Sequence, residues 1–128
     1  MSYYFNKTVD MPFEKVLEKV TEDLKKEGFG IMTTIDVKET IRKKLNEDFR
    51  PYTILGACNP HFAHQALQIE DKIGTMLPCN VIVQQLAAGK TEIAAIDPVA
   101  SMQAIDNPKL GQVAEQVRAR LKKVVENV

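Results

Sequence analysis

The sequence predicts an α+β domain in which helices lie over a mainly antiparallel sheet. Three observations carry this expectation. Two segments place apolar residues at three- and four-residue spacing with charges between them, the helical signature. Several short runs rich in β-branched residues end at turn-forming residues, the signature of strands. The two kinds follow one another without regular strand-helix alternation, and two strands are consecutive, which points away from a parallel doubly wound sheet. At 128 residues the chain fits a single domain, with no linker, repeat or low-complexity stretch to divide it.

Residues 3–9 alternate well enough for a first strand, and Asp10 with Pro12 offers a cap and a pre-set backbone angle for a helix start. In that helix Phe13, Val16, Leu17, Val20 and Leu24 form the apolar stripe, and the intervening glutamates and lysines form a solvated face. Gly28 ends it where a left-handed residue is needed. Residues 31–37 read as a second strand, and 39–46 as a short polar helix whose Arg42, Lys43 and Lys44 read as ordinary surface. Residues 52–57 are apolar and end at Gly56-Ala57, so a buried strand is expected there, followed by a helix from Asn59 and Pro60 to about 70. Residues 75–85 and 91–96 flank Ala87-Ala88-Gly89-Lys90 and predict an antiparallel hairpin, with Cys79 inside its first strand. Beyond Asp97-Pro98 an irregular stretch reaches Asn107-Pro108. That pair caps a last helix whose Leu110, Val113, Val117, Leu121 and Val124 should pack on the sheet.

Lysine plus arginine and aspartate plus glutamate each number 17, so no excess charge draws the chain to nucleic acid or to anionic lipid. Neither partner is expected. The N-terminal residues lack the pattern of a secretory signal and no apolar run reaches spanning length, so a cytoplasmic protein without a membrane partner is expected. In that compartment the two cysteines should be reduced.

Those cysteines are the chemistry-bearing feature. Each stands beside an asparagine and a proline, in Ala57-Cys58-Asn59-Pro60 and in Leu77-Pro78-Cys79-Asn80. The repetition suggests one polar, thiol-bearing site built from two segments. Cys58 falls at a helix N-terminus, where unpaired N–H groups and the helix dipole favour an anion and should lower its pKa. The dipole is worth about 0.3–1 kcal/mol, less than one pKa unit, so a catalytic thiol needs a further cation or base. His64, one turn into the helix, and Lys44 are the candidates. Cys58, Cys79 and His64 are therefore the catalytic candidates. Cys58, His61, His64 and Cys79 do not have zinc-ligand spacing, and no Cys-x-x-Cys is present, so no metal or other cofactor is expected. The alternative for both cysteines is a place in the core as small hydrophobes, with Asn59 and Asn80 serving tight turns.

The stretches Tyr52-Thr53-Ile54-Leu55-Gly56-Ala57-Cys58-Asn59-Pro60, with Ala63 and Ala66-Leu67 after it, and Gly74-Thr75-Met76-Leu77-Pro78-Cys79-Asn80-Val81-Ile82-Val83 closely resemble the bacterial and archaeal domain of unknown function 302 family. Gly28-Phe29-Gly30, Ile35-Asp36-Val37, Lys44-Leu45 and Ile96-Asp97-Pro98 extend the resemblance over nearly the whole chain. It implies a curved antiparallel sheet and a homodimer, and it implies no established activity. Thr34 stands where that family commonly has an acidic residue, and His61 where it usually lacks histidine.

Together these residues favour a small-ligand-binding domain that takes an anion or carboxylate, with a site formed by Cys58, Asn59, Cys79, Asn80, Lys44 and Asp97. A thiol-dependent enzyme or redox protein using Cys58 and Cys79 is the first alternative. A structural or interaction module is the second.

Overall fold

The computed structural model describes residues 2–128 and has the expected α+β architecture. Strands β1 (Tyr4–Val9), β2 (Gly30–Asp36) and β3 (Tyr52–Cys58) are each followed by a helix, α1 (Phe13–Lys26), α2 (Val37–Leu45) and α3 (Pro60–Ile69), and then β4 (Cys79–Ala87) and β5 (Lys90–Ile96) precede α4 (Pro98–Ser101) and α5 (Pro108–Asn127). The strands form one five-stranded sheet in the order β1-β5-β4-β3-β2, with every neighbouring pair antiparallel.

Alternation divides each strand between two faces. Leu55 and Ala57, Cys79, Val81 and Val83, and Ile93 and Ala95 point to one face and are buried there under α1 and α5. The expected stripe of α5 is buried in full, as are Phe13, Val16, Val20 and Leu24 of α1, while Leu17 lies at the margin. Each such side chain removed from water contributes about 1.5–3 kcal/mol, which is why the periodicity identifies these helices so well. A smaller cluster of Ala66, Ile73, Leu110 and Val113 joins α3 to the start of α5.

Four local expectations change. Asp10 does not cap α1; its carboxylate meets Lys90 Nζ at 2.9 Å, and Pro12 itself occupies the cap position, accepting from Val16 N. Val37 leaves the strand for α2 because the Asp36 side chain accepts a hydrogen bond from Glu39 N and starts the helix two residues earlier. Residues 75–78 are not strand. Asp71–Met76 form a 3-10 turn anchored by the fully buried Ile73, and Pro78 has no N–H for a ladder, so β4 opens at Cys79 instead of enclosing it. The stretch after Asp97 contains α4, because Asp97 Oδ1 accepts from Val99 N at 3.0 Å and from Ala100 N at 3.4 Å.

The opposite sheet face carries neither α1, α3 nor α5. The register sets its side chains in cross-strand rows. Thr8, Glu92, Gln84 and Tyr52 form one row, and Asn6, Ala94, Ile82, Ile54 and Ile35 form the next. In the last row Tyr4 lies beside Ile96, and Asn80 beside Gly56 and Thr33.

Candidate functional site

The strands bring the two cysteine clusters to one end of the sheet. Cys58 closes β3 opposite Gly30, and Cys79 opens β4 opposite Ala57, the residue before Cys58. Both border a cavity between the sheet end, α3 and α5, with Phe29, Phe62, Leu77 and Met102 among its walls. At about 30 Å³ it has room for roughly two water molecules, and its walls are mainly apolar. The two-segment juxtaposition is present, but the polar cleft is not.

The electrostatics run opposite to the expectation for Cys58. Burial pushes its thiol pKa up, because the thiolate would lose hydration. Cys79 is driven from 9.0 to about 11, first by burial and then by the neighbouring Cys58 charge. Both thiols are free. His61 and His64 lie exposed on α3, Lys44 lies exposed on α2, and none of them lines the cavity. A thiol without a base and with a raised pKa is a poor nucleophile at neutral pH.

The remaining expected residues disperse. Asn59 is buried and donates from Nδ2 to Glu27 O at 3.4 Å, tying the start of α3 to the turn where Gly28 takes φ +86°. Asp97 caps α4, and its Oδ2 lies 3.3 Å from Arg118 Nε on α5. Asn80 sits one residue past Cys79 and so points to the open face, away from the thiol cavity. The expected ligand set therefore splits. Cys58, Asn59 and Cys79 meet at the cavity, Asn80 is across the sheet, and Lys44 and Asp97 are elsewhere. Among the described residues no group of three histidine, cysteine, aspartate or glutamate side chains is arranged to hold a metal ion.

Asn80 belongs to a second depression. A trough of about 400 Å³ on the open face is lined by Tyr3, Tyr4, Tyr52, Asn80, Ile82, Gln84, Glu92, Ala94, Ala95 and Ile96. This volume lies within the roughly 300–1,000 Å³ of small-molecule sites. The chain has three tyrosines, and all three are here. Tyr3 and Tyr4 meet edge to face with ring centroids 5.0 Å apart at one corner. Tyr52 stands at the opposite corner, three strands across and two rows along, roughly 20 Å away, with the Arg50 guanidinium 5.6 Å from its ring centroid. A hydrogen-bond chain crosses one side. Arg50 Nε donates to Gln84 Oε1 at 2.8 Å, and Gln84 Nε2 donates to Glu92 Oε1 at 2.7 Å. Asn6 Nδ2 then donates to Glu92 Oε2 at 2.9 Å. Glu92 is thus fixed by two neutral amides and paired with no cation among the described residues.

A signal for this trough was present in the sequence as strand alternation. Once Val81, Val83, Ile93 and Ala95 are assigned to the core, Asn80, Ile82, Gln84, Glu92 and Ala94 must share the other face. The rest depended on strand order, which alone brings Tyr4 and Tyr52 to the same surface.

No curated protein matches this chain. It is similar to a solved structure described as the uncharacterized conserved protein DUF302 from Bacillus stearothermophilus, with 29% identity, a TM-score of 0.90 and 98% of each chain covered. The model of the domain of unknown function DUF302 matches residues 5–128. The sequence motifs, the five-stranded fold and these two likenesses agree, and the chain belongs to the DUF302 family.

Proposed function

We propose that this protein is a small-ligand-binding domain without catalytic turnover, and that its ligand is an organic cation held in the trough of the open sheet face. The observation that carries this reading is a ligand-sized depression with the Tyr3–Tyr4 pair at one corner and Glu92 as its one ionised lining group. Tyrosine rings attract ammonium and amidinium groups through their faces, and a carboxylate held between neutral amides supplies the counter-charge. The apolar floor of Ile82, Ala94 and Ile96 suits the body of such a molecule. An anion at the start of α3 is the weaker reading, because the cavity there is apolar and holds only water-sized guests. Thiol chemistry is weaker still, since burial disfavours both thiolates.

The homodimer implied by the family resemblance is compatible with this site. Two free thiols suit the reducing cytoplasm, and no helix among the described residues is long and apolar enough to cross a membrane.

Calorimetric titration with benzamidine and with benzoate tests the reading. Benzamidine is expected to bind and benzoate is not, and Glu92→Gln should weaken benzamidine by about tenfold or more, as loss of a charge-assisted contact implies. Equal binding of the two probes, or an unchanged affinity in Glu92→Gln, would refute it.

A further inference from the structure

We propose that the ligand of the trough is a zwitterion, an amidino or amino acid whose cationic end meets Glu92 and whose carboxylate is taken by Arg50. The inference rests on the cation reading above and adds to it a class of molecule and a specificity-determining residue. Two cations border the open face beyond the row of Tyr52, Gln84 and Glu92: Lys90, two residues before Glu92, and Arg50, two residues before Tyr52. They differ in what they already hold. Lys90 Nζ is paired with Asp10 Oδ1 at 2.9 Å. Arg50 is paired with no carboxylate among the described residues, whereas Arg42 meets Asp48 at 2.8 Å and Arg118 meets Asp97 at 3.3 Å.

Although exposed, the Arg50 side chain is held in place. Its Nε donates to Gln84 Oε1 at 2.8 Å, and its guanidinium carbon stands 4.4 Å from the Phe49 ring centroid and 5.6 Å from that of Tyr52. A guanidinium whose Nε is engaged keeps its two terminal nitrogens as a planar fork, the donor geometry that matches a carboxylate. Because Phe49 and Tyr52 already carry this cation, their corner of the trough suits an anionic group and repels a second cation. The opposite charge is close by. Gln84 accepts from Arg50 and donates to Glu92 Oε1 at 2.7 Å, so Arg50 Nε and that carboxylate oxygen lie within about 8 Å of each other. The Gln84 amide also keeps them from pairing. A fixed cation with a free donor fork and a fixed anion bound only by neutral amides thus face the same small molecule with opposite charges. Its own charges must be reversed in order and about 6 Å apart, the separation of the two substituent carbons across a para-substituted ring. Benzamidine has the cationic end alone. Benzoate has only the other, and an exposed arginine adds affinity chiefly to a ligand already anchored elsewhere.

Calorimetric titration with benzamidine, 4-amidinobenzoate and the neutral 4-amidinobenzamide tests this. The wild type should bind 4-amidinobenzoate about fivefold more tightly than benzamidine, as one bidentate contact at a partly exposed site implies. The amide, which keeps the shape without the charge, should show no such gain. In Arg50→Gln the advantage of 4-amidinobenzoate over benzamidine should vanish, and in Arg50→Lys, which offers no planar fork, it should be reduced. The Arg50 Nε–H resonance provides a second readout and should shift more with 4-amidinobenzoate than with benzamidine. Equal affinity of the wild type for benzamidine and 4-amidinobenzoate, or an advantage that persists in folded Arg50→Gln, would overturn the inference and leave the cation reading standing. Failure of all three probes to bind would refute both.

Discussion

Cys79 shows how one buried side chain decides between chemistries. Its thiol pKa rises from 9.0 to about 11, chiefly because the thiolate would lose its hydration. The unfolded chain therefore releases this proton at lower pH than the folded one. The stability gained by keeping the thiol neutral is complete below about pH 9 and is lost as pH rises through about 11. We expect the melting temperature of the wild type to fall more steeply between those values than that of Cys79→Ala; parallel curves would contradict the assignment. Alkylation of Cys58, the more accessible thiol, should rise about tenfold per pH unit through neutral pH and still be rising at pH 9, whereas a rate that levels off at lower pH would show an activation that burial does not allow. Gly56 is a further single-residue constraint. A Cβ there would collide with the Thr33 side chain and the Pro78 ring, so Gly56→Ala should cost about 1–3 kcal/mol in denaturant unfolding. At this scale the sequence was legible in part. It placed Gly28 at the end of α1 and Asn59 at the start of α3, because turn and cap chemistry is local, but it set Cys79 within a strand that the residue in fact opens. It misjudged the direction of the Cys58 shift, because desolvation depends on α3, α5 and the 3-10 turn folding over the thiol.

Among the elements, those with a long periodic stripe were the most readable. Leu121, at the centre of the α5 stripe, is completely buried against the sheet, and Leu121→Ala should cost about 2–5 kcal/mol by thermal or chemical denaturation. A loss below 1 kcal/mol would mean that α5 does not anchor the core. The short elements were less readable. The 3-10 turn before Cys79 and the single-turn α4 depend on one buried Ile73 and one capping Asp97, and neither leaves a periodic trace. Asp97 was read as a ligand residue; the structure uses its carboxylate to start α4 and to approach Arg118. Asp97→Ala should therefore lower stability by about 1 kcal/mol in denaturant unfolding through the lost cap, and an unchanged stability would contradict that role.

For the whole molecule, the asymmetry between the two sheet faces matters most. One face is covered by α1 and α5 and encloses the thiols; the other exposes tyrosines, amides, Glu92 and the Arg50 that reaches Gln84. The sequence made the cysteines conspicuous by repeating their neighbours, whereas the residues of the open face are scattered among four strands and meet only through the order β1-β5-β4-β3. The most direct test of which face is the functional surface is a titration of isotopically labelled protein with benzamidine, followed by amide chemical shifts. We expect the changes to centre on Tyr4, Tyr52, Asn80 and Glu92. Changes centred on Cys58, Asn59 and Ala63, or none at all, would contradict it.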